Sequence, residues 1–172
     1  MLAPFIPGFK SSLSSLWANP IESSTIYQTA DLIEAIWVNA VVTGYEISPC
    51  VMMPKSTYPA PGFDLLAPGT IGPDASYAAS CFEAACSQMV LQTLFPLIPP
   101  PVSVPPPIPI GAAIPGALTT LLTSIFIAGS TATVEFQTAP QVADAIAAYL
   151  QGWMITVITV PSPPVTVVLP II

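Results

Sequence analysis

The chain has 172 residues, of which 53% are hydrophobic and 6% are charged. Lys10 and Lys55 are its only cations, set against nine acids, and histidine and arginine are absent. Because phosphate neutralisation needs clustered Lys and Arg, this balance excludes direct nucleic-acid binding and argues against electrostatic attachment to an anionic membrane.

Two helices are predicted near the N-terminus. The first begins at the Ile-Pro-Gly turn of 6–8, where proline suits the first helical position, and ends near Trp17. The second begins at Thr29, a natural N-cap, and ends near Val42, before Gly44. The apolar residues along the second helix recur at helical spacing and are Leu32, Ile33, Ile36, Val38 and Ala40.

A third helix is predicted from Pro73 to Phe95, because Pro73 suits a helix start and Pro96 cannot continue a helix. The residues at helical spacing along it are Tyr77, Cys81, Ala84, Ala85, Gln88 and Leu91. Segment 47–72, which precedes this helix and contains five prolines, is predicted to be an ordered loop over the helices.

The second half of the chain has the same plan. A fourth helix is predicted from Pro115 to Ala128, ending at Gly129. A fifth helix follows the N-cap Thr138 and runs to Gln151, with Pro140 in its first turn. Its apolar face is predicted to consist of Val142, Ala145, Ile146 and Tyr149.

An internal repeat relates the two halves. The Ile-Pro-Gly of 6–8 recurs at 114–116, and the Gln-Thr-Ala of 28–30 recurs at 137–139. With two single-residue gaps, the matched pairs are Leu13 with Leu121, Trp17 with Phe126, Leu32 with Val142, and Ile36 with Ile146. This order and spacing indicate a duplication, which would give the fold an approximate internal twofold repetition. Residues 6–37 should therefore superpose on 114–147.

Both halves end in proline-rich chain, at 96–109 and in the tail 160–172. Prolines at this density favour polyproline II, which has no internal hydrogen bonds, and exclude a central strand. We therefore expect two extended arms that pack on neighbouring subunits; the alternative is that they fold back over their own helices. The interface candidates are Leu97, Ile98, Val102, Val104, Ile108, Ile110, Val165, Val167, Leu169, Ile171 and Ile172.

These elements predict a mainly α fold, in which two tandem helical-hairpin repeats pack as a small bundle. Proline-rich extended arms lie outside the bundle, and Trp153–Val160 is compatible with at most a short β-strand. The predicted parts are 1–95 (first repeat half with an extra helix), 96–109 (proline-rich linker or arm), 110–152 (second repeat half) and 153–172 (extended C-terminal tail).

Few residues are available for catalysis. Without histidine there is no imidazole base and no Ser-His-Asp triad, and no glycine-rich phosphate loop is present. Asp31 and Glu34 share a helix face, as an acid–base pair would, but acids near a helix start also interact favourably with the helix dipole. Because Asp144 repeats Glu34 in the second half, the structural interpretation is preferred. No catalytic residue, cofactor or metal is predicted.

Two further residue sets have a structural and a functional interpretation. The matched aromatics Trp17 and Phe126 are predicted to be core anchors instead of a ligand platform. The three cysteines lack metal-ligand spacing and are predicted to be reduced and buried; they are Cys50, Cys81 and Cys86.

A chain with so little charge cannot cover a monomer with well-solvated groups. Large exposed apolar patches mark interfaces, so we expect other subunits to bury much of the surface. Disorder is excluded, because disordered chains combine low hydrophobicity with high charge. A membrane protein is the alternative, although the apolar window Ile110–Ala128 is interrupted by Pro115 and Gly116.

The turn at 4–9, which reads Pro-Phe-Ile-Pro-Gly-Phe, and the Thr-Ala-led helix at 138–149 resemble small virion structural proteins of tailed bacteriophages, notably of cyanophage type. The resemblance covers the two repeats, about half of the chain. It carries no functional residues to transfer, and the proline-rich segment 96–109 departs from it. The resemblance implies a virion component and leaves the neck, tail, baseplate and capsid open.

The sequence therefore predicts a non-catalytic structural subunit of a large symmetric assembly, held by apolar interfaces and extended arms. The resemblance favours a phage virion as that assembly and as the location of the chain. The expected partners are copies of the chain and other virion structural proteins. The alternative is a membrane-embedded or membrane-associated protein.

Overall fold

The structure is a computed structural model of the chain. It describes residues 2–18, 23–38, 41–42, 45–46, 73–91, 108–111, 114–130, 138–158 and 166–170. Most of them lie in five helices: α1 (Ile6–Leu16), α2 (Ser23–Val38), α3 (Pro73–Leu91), α4 (Ala117–Ser130) and α5 (Ala139–Gln151). The strands are β1 (Val41–Val42), β2 (Tyr45–Glu46), β3 (Ile108–Gly111), β4 (Trp153–Ile158) and β5 (Thr166–Pro170). The predicted mainly α fold class is confirmed.

The helices pack in the order α2, α1, α5, α4, α3. Helices α1 and α2 form one hairpin, α4 and α5 form the other, and α1 of the first hairpin lies against α5 of the second. The two hairpins thus lie side by side through α1 and α5, and the predicted twofold repetition stays a prediction.

Aromatic side chains from several helices form the centre of the core. Trp17 and Phe126 are almost fully buried, which confirms that both are core anchors. The Trp17 Nε1 donates a hydrogen bond of 3.0 Å to Thr29 Oγ1, and the Thr29 hydroxyl donates one of 2.8 Å to the Thr25 carbonyl. On the other side of the core, the Phe82 ring of α3 packs against Phe126 with a centroid distance of 5.9 Å.

The burial pattern of α1 and α2 recurs in α4 and α5 at one constant offset, residue n matching residue n + 109. The pairs in which both side chains are buried are Phe9 with Leu118, Leu13 with Leu122, Trp17 with Phe126, Thr29 with Thr138, Ala30 with Ala139, Ile33 with Val142, Ile36 with Ala145, and Trp37 with Ile146. No gap is needed along this stretch. Burial therefore pairs Leu13 with Leu122 instead of Leu121, while the duplication itself stays a prediction.

Two helix starts differ from the sequence prediction. Helix α2 begins at Ser23, so Thr29 lies inside it, where its hydroxyl is satisfied by the carbonyl one turn earlier instead of capping the helix. Helix α4 begins at Ala117 instead of Pro115, because Gly116 has a φ of +84°, which is not helical. Thr138 precedes α5 as predicted but makes no capping hydrogen bond through its side chain.

The buried face of α3 differs from the predicted one except at Ala85, which is buried as predicted. Tyr77 and Leu91 are more than half exposed, Ala84 and Gln88 are also exposed, and Cys81 is only partly buried. The buried hydrophobic residues of α3 are Ala75, Ala78, Ala79, Phe82, Ala85, Cys86, Met89 and Val90. Both stripes have helical spacing, so periodicity could not separate them. The stripe of smaller side chains is the one that faces the core.

Strand β4 lies between β3 and β5 in a three-stranded antiparallel sheet, and β1 pairs with β2 separately. The short strand predicted at Trp153–Val160 corresponds to β4. The backbone also pairs more strands than the single one expected. Pro109 on β3 and Pro170 on β5 are compatible with this arrangement, because both strands are at the edges of the sheet, where proline is tolerated.

The expectation of free arms is not met in the described parts. Candidates Ile108 and Ile110 lie on β3, Val167 and Leu169 lie on β5, and both strands pair with β4 of the same chain. Pairing with β4 gives these segments backbone hydrogen bonds that polyproline II lacks. Outside the described residues lie the candidates Leu97, Ile98, Val102, Val104, Val165, Ile171 and Ile172, together with the predicted loop 47–72.

The two possible registers of the repeat predict opposite results for two adjacent leucines. Leu122 is fully buried, so Leu122→Ala should lower the free energy of unfolding by about 2–5 kcal/mol, as Leu13→Ala should. Leu121 is 47% exposed, so Leu121→Ala should change it by less than about 0.5 kcal/mol. Urea unfolding followed by circular dichroism measures all three variants. A large loss for Leu121→Ala with a small one for Leu122→Ala would restore the gapped alignment.

Candidate functional site

The acids of the described helices lie on α2, α3 and α5. Asp31 is exposed and Glu34 is partly buried on α2, so the pair considered for acid–base chemistry does not share one environment. Asp144 on α5 forms an ion pair of 2.7 Å with Lys10 on α1, and both side chains are solvent-accessible. Within the described part of the chain, no group of three or more His, Cys, Asp or Glu residues is placed to hold a metal ion.

Glu83, in the middle of α3, is the one buried acid among those whose burial the structure describes. Its Oε1 accepts a hydrogen bond of 2.6 Å from the Gly116 backbone N–H. Its Oε2 accepts two bonds of 2.7 Å, from the backbone N–H and from the hydroxyl of Thr119. These donors lie at the start of α4, where helical N–H groups lack partners within the helix. Glu83 therefore caps α4 from a neighbouring helix.

The hydrogen bonds keep Glu83 ionised. Burial alone would raise the pKa of this carboxyl, but the bonds from Thr119 and Gly116 outweigh burial and hold the pKa below its usual value of 4.5. A carboxylate that is ionised at neutral pH and bonded to three donors is a structural group. It has no proton to give near neutrality, and its oxygens are already engaged.

Two other titratable groups near Glu83 also have shifted pKa values. Burial raises the pKa of the Cys86 thiol to about 12, and the nearby Glu83 charge contributes to this rise. Burial likewise raises the pKa of Tyr149, whose hydroxyl shares a 2.6 Å hydrogen bond with Ser87. A thiol that stays protonated is a poor nucleophile. Cys86 is buried as predicted, whereas Cys81 is partly exposed.

Among the apolar grooves on the described surface, two lie at corresponding places on the two hairpins. The first groove lies between α1 and α2 and has a volume of about 280 Å³. Its lining residues are Pro4, Phe5, Gly8, Phe9, Ser12, Leu32, Ala35 and Ile36. The second groove lies between α4 and α5 and has a volume of about 310 Å³. Its lining residues are Ile114, Ala117, Leu118, Leu121, Ala145, Ala148, Tyr149 and Gly152.

The two grooves occupy equivalent places on the hairpins. Five lining pairs are related by the same offset of n + 109, and they are Phe5 with Ile114, Gly8 with Ala117, Phe9 with Leu118, Ser12 with Leu121, and Ile36 with Ala145. Phe5 and Ile114 are both exposed at their grooves, Ile114 to 74%. The chain thus presents two similar apolar concavities, each with a large exposed hydrophobic side chain.

Neither Glu83 nor the grooves were predicted from the sequence. Glu83 had a signal: it is the last charged residue before a long uncharged stretch, on a helix otherwise poor in charge. The grooves had no such signal, because their residues come from two helices each and meet only in the folded chain. The interface candidates chosen from the sequence lie on strands or outside the described residues, and none of them lines either groove.

Comparisons with protein-family models, with curated proteins and with solved structures found no match for this chain. Among the helices in the described part of the chain, none combines the length and the apolar character needed to cross a membrane.

The Glu83 cap predicts a pH-dependent stability. Glu83→Gln should lower the free energy of unfolding by about 1–3 kcal/mol at neutral pH, since an amide cannot accept from all three donors. The folded-state pKa lies below the unfolded value, so the contribution is fully present above about pH 4.5 and is lost as the pH falls through the folded pKa. The difference in free energy of unfolding between the parent chain and Glu83→Gln should therefore become smaller as the pH falls. Urea unfolding at a series of pH values measures it.

Asp144→Asn is the matched control, because it makes the same carboxylate-to-amide change at a solvent-exposed ion pair. Asp144→Asn should lower the free energy of unfolding by less than about 1 kcal/mol. The cap described above would be wrong if both variants lost the same free energy of unfolding. It would also be wrong if the loss for Glu83→Gln did not change with pH.

Proposed function

We propose that this chain is a non-catalytic structural subunit of a large symmetric assembly, held by apolar interfaces. The proposed assembly is a bacteriophage virion, and the proposed partners are copies of the chain and other virion structural proteins. The observation that carries the proposal is the amount of apolar side chain left on the surface of a folded helical unit with very little charge.

Seven large hydrophobic side chains of the described helices and turns are exposed: Phe5, Tyr27, Tyr77, Leu91, Ile114, Leu121 and Ile127. Three of them, Phe5, Ile114 and Leu121, line the two grooves. A scattered exposed hydrophobic residue is ordinary in a soluble protein, whereas apolar residues grouped at a concavity mark an interaction site. Burying one such side chain at an interface contributes about 1.5–3 kcal/mol.

The polar groups of the chain support a structural role. Glu83 is engaged as a helix cap, Cys86 is protonated, and Lys10 is paired with Asp144. The virion, as the particular assembly, is supported by the resemblance of the turn at 4–9 and the helix at 138–149. In the folded chain Phe5, the residue just before α1, lines the first groove, so the part of the chain that carries the resemblance also carries apolar surface.

Sedimentation of the chain from the cells that produce it separates the virion from the membrane alternative. A virion subunit should co-sediment with particles in a density gradient, and antibody-coupled gold should label those particles. A membrane protein should instead float with lipid and remain there after a high-salt wash. Recovery of the chain with lipid, or as a free monomer that labels no particle, would refute the proposal.

The second groove gives a sharper form of this test. The double change Ile114→Glu with Leu121→Glu places two charges in the groove, and both side chains are exposed, so the chain should stay folded. Incorporation into particles should fall at least about tenfold, because desolvating the charges opposes burial of the groove. Ser124→Glu, on an exposed position of α4 outside the groove, is the control and should be incorporated normally.

A further inference from the structure

Helix α3 has nearly the same burial pattern as α5, with residue n of α3 corresponding to residue n + 64 of α5. The pairs in which both side chains are buried are Ala75 with Ala139, Ala78 with Val142, Ala79 with Ala143, Phe82 with Ile146, Glu83 with Ala147, Ala85 with Tyr149, and Cys86 with Leu150. The pairs in which both are exposed are Tyr77 with Gln141, Ser80 with Asp144, and Ala84 with Ala148. Because α5 is the second helix of its hairpin, α3 has the character of a second helix.

The contact of α3 with α4 repeats the contact of α5 with α1. Lys10 on α1 and Thr119 on α4 are equivalent under the n + 109 offset. Lys10 pairs with Asp144 of α5, and Thr119 donates to Glu83 of α3. Glu83 corresponds to Ala147 on α5, one helical turn beyond Asp144, so the two acids lie on the same face. Helices α3 and α5 therefore use equivalent faces to contact the first helix of a hairpin to which they do not belong.

Helix α2 has an equivalent face with acids on it. Residue n of α2 corresponds to residue n + 45 of α3 and to residue n + 109 of α5. The positions that are buried on all three helices hold Ala30, Ala75 and Ala139, then Ile33, Ala78 and Val142, and then Trp37, Phe82 and Ile146. In this correspondence the contact face of α2 contains Asp31, Glu34 and Ala35, which are three and four residues apart. We call these three residues the acidic face of α2.

The second lysine of the chain stands at the matching place in the sequence. Lys55 follows Lys10 at the same offset of 45 that relates α2 to α3, and the next three residues match as well, Ser-Thr-Tyr of 56–58 with Ser-Ser-Leu of 11–13. Burial and sequence therefore give the same offset independently. The match ends at Tyr58, because Pro59 and Pro61 would interrupt a helix like α1. Segment 54–58 lies outside the described residues.

We infer that segment 54–58 of the same chain packs on the acidic face of α2, with the Lys55 ammonium paired to the Glu34 carboxylate. Three equivalent contacts then form a closed series. Helix α5 contacts α1, α3 contacts α4, and α2 contacts segment 54–58, so that each of three repeats contacts the next. The predicted duplication is thereby extended to a threefold repetition, in which segment 54–58 precedes α3 as α1 precedes α2.

Glu34 is the acid that the equivalent helices favour as the partner of Lys55. Its counterparts Ala79 on α3 and Ala143 on α5 are fully buried, so position 34 lies within the contact, whereas Asp31 is exposed. Glu34 itself is partly buried, and a carboxylate withdrawn from water needs a charged or hydrogen-bonding partner. A lysine suits this place, because its stem lies along apolar surface while the ammonium reaches the carboxylate. The contact is within one chain, so it does not depend on the proposed function.

Carbodiimide cross-linking of the purified full chain tests the contact, because this reagent joins a lysine directly to a carboxylate that it touches. Mass spectrometry of the digested product should find Lys55 linked to Glu34, or to Asp31 one turn away on the same face. The link of Lys10 to Asp144 is the positive control, since their ion pair is 2.7 Å long and solvent-accessible. In an equal mixture of ¹⁵N-labelled and unlabelled chain, each linked pair should come from one isotope class.

Charge reversal tests the pairing through stability. Lys55→Glu and Glu34→Lys should each lower the urea midpoint of unfolding, and the double variant should recover most of the loss, because the swapped charges attract again. The control combines Lys55→Glu with Asp144→Lys, which has the same net charge as the swap but joins two residues that the inference keeps apart. In that control the two shifts of the midpoint should add.

Three results would overturn the inference. The first is a digest in which Lys10 is linked to Asp144 while Lys55 is linked to no acid of α2. The second is a link of Lys55 to α2 that joins labelled with unlabelled chain, which would place a second copy on the acidic face. The third is a charge swap whose two shifts add as they do in the control. If the reversed variants fail to fold, the cross-links of the unmodified chain decide.

Discussion

The carboxylate of Glu83 is the constraint on which the packing of α3 and the start of α4 depend. A buried charge is costly unless donors surround it, and here the donors are the Gly116 N–H and both groups of Thr119. The observed packing of α3 on α4 is therefore the one that satisfies this carboxylate. The positive φ of Gly116 turns its N–H toward the carboxylate. Because this φ is not helical, α4 begins only after Gly116, at Ala117.

Two polar contacts join helices at equivalent places, one between the hairpins and one between α4 and α3. Lys10 on α1 and Thr119 on α4 are equivalent under the n + 109 offset. Lys10 reaches Asp144 on α5, and Thr119 reaches Glu83 on α3, so α3 lies against α4 as α5 lies against α1. At the junction between the hairpins, α1 of the first contacts α5 of the second. A further hairpin would pack on α4 in the same way, because α4 is equivalent to α1. Helix α3 takes that place and completes the bundle.

The described surface left by this arrangement includes two apolar grooves, which lie at corresponding places on the two hairpins. Phe5 and Ile114 are exposed at these grooves and are related by the n + 109 offset. The proposed structural subunit would contact its neighbours through apolar surfaces of this kind.

The sequence by itself determined that five helices form and which face of α5 is buried, because helical periodicity and proline chemistry act locally. It did not determine the starts of α2 and α4, or the end of α2, which is Val38 and not Val42. It also determined that Trp17 and Phe126 are core residues, since no charged or polar interpretation competes for them. Only the tertiary structure decided which stripe of α3 is buried, because Tyr77 and Phe82 both lie on apolar stripes of helical spacing and α4 selects one of them. It alone decided that Pro109 and Pro170 lie in strands, because a proline-rich segment becomes an edge strand only when a proline-free strand such as β4 is beside it. The role of Glu83 was likewise invisible, since its donors are more than thirty residues away in the sequence and meet it only in the folded chain.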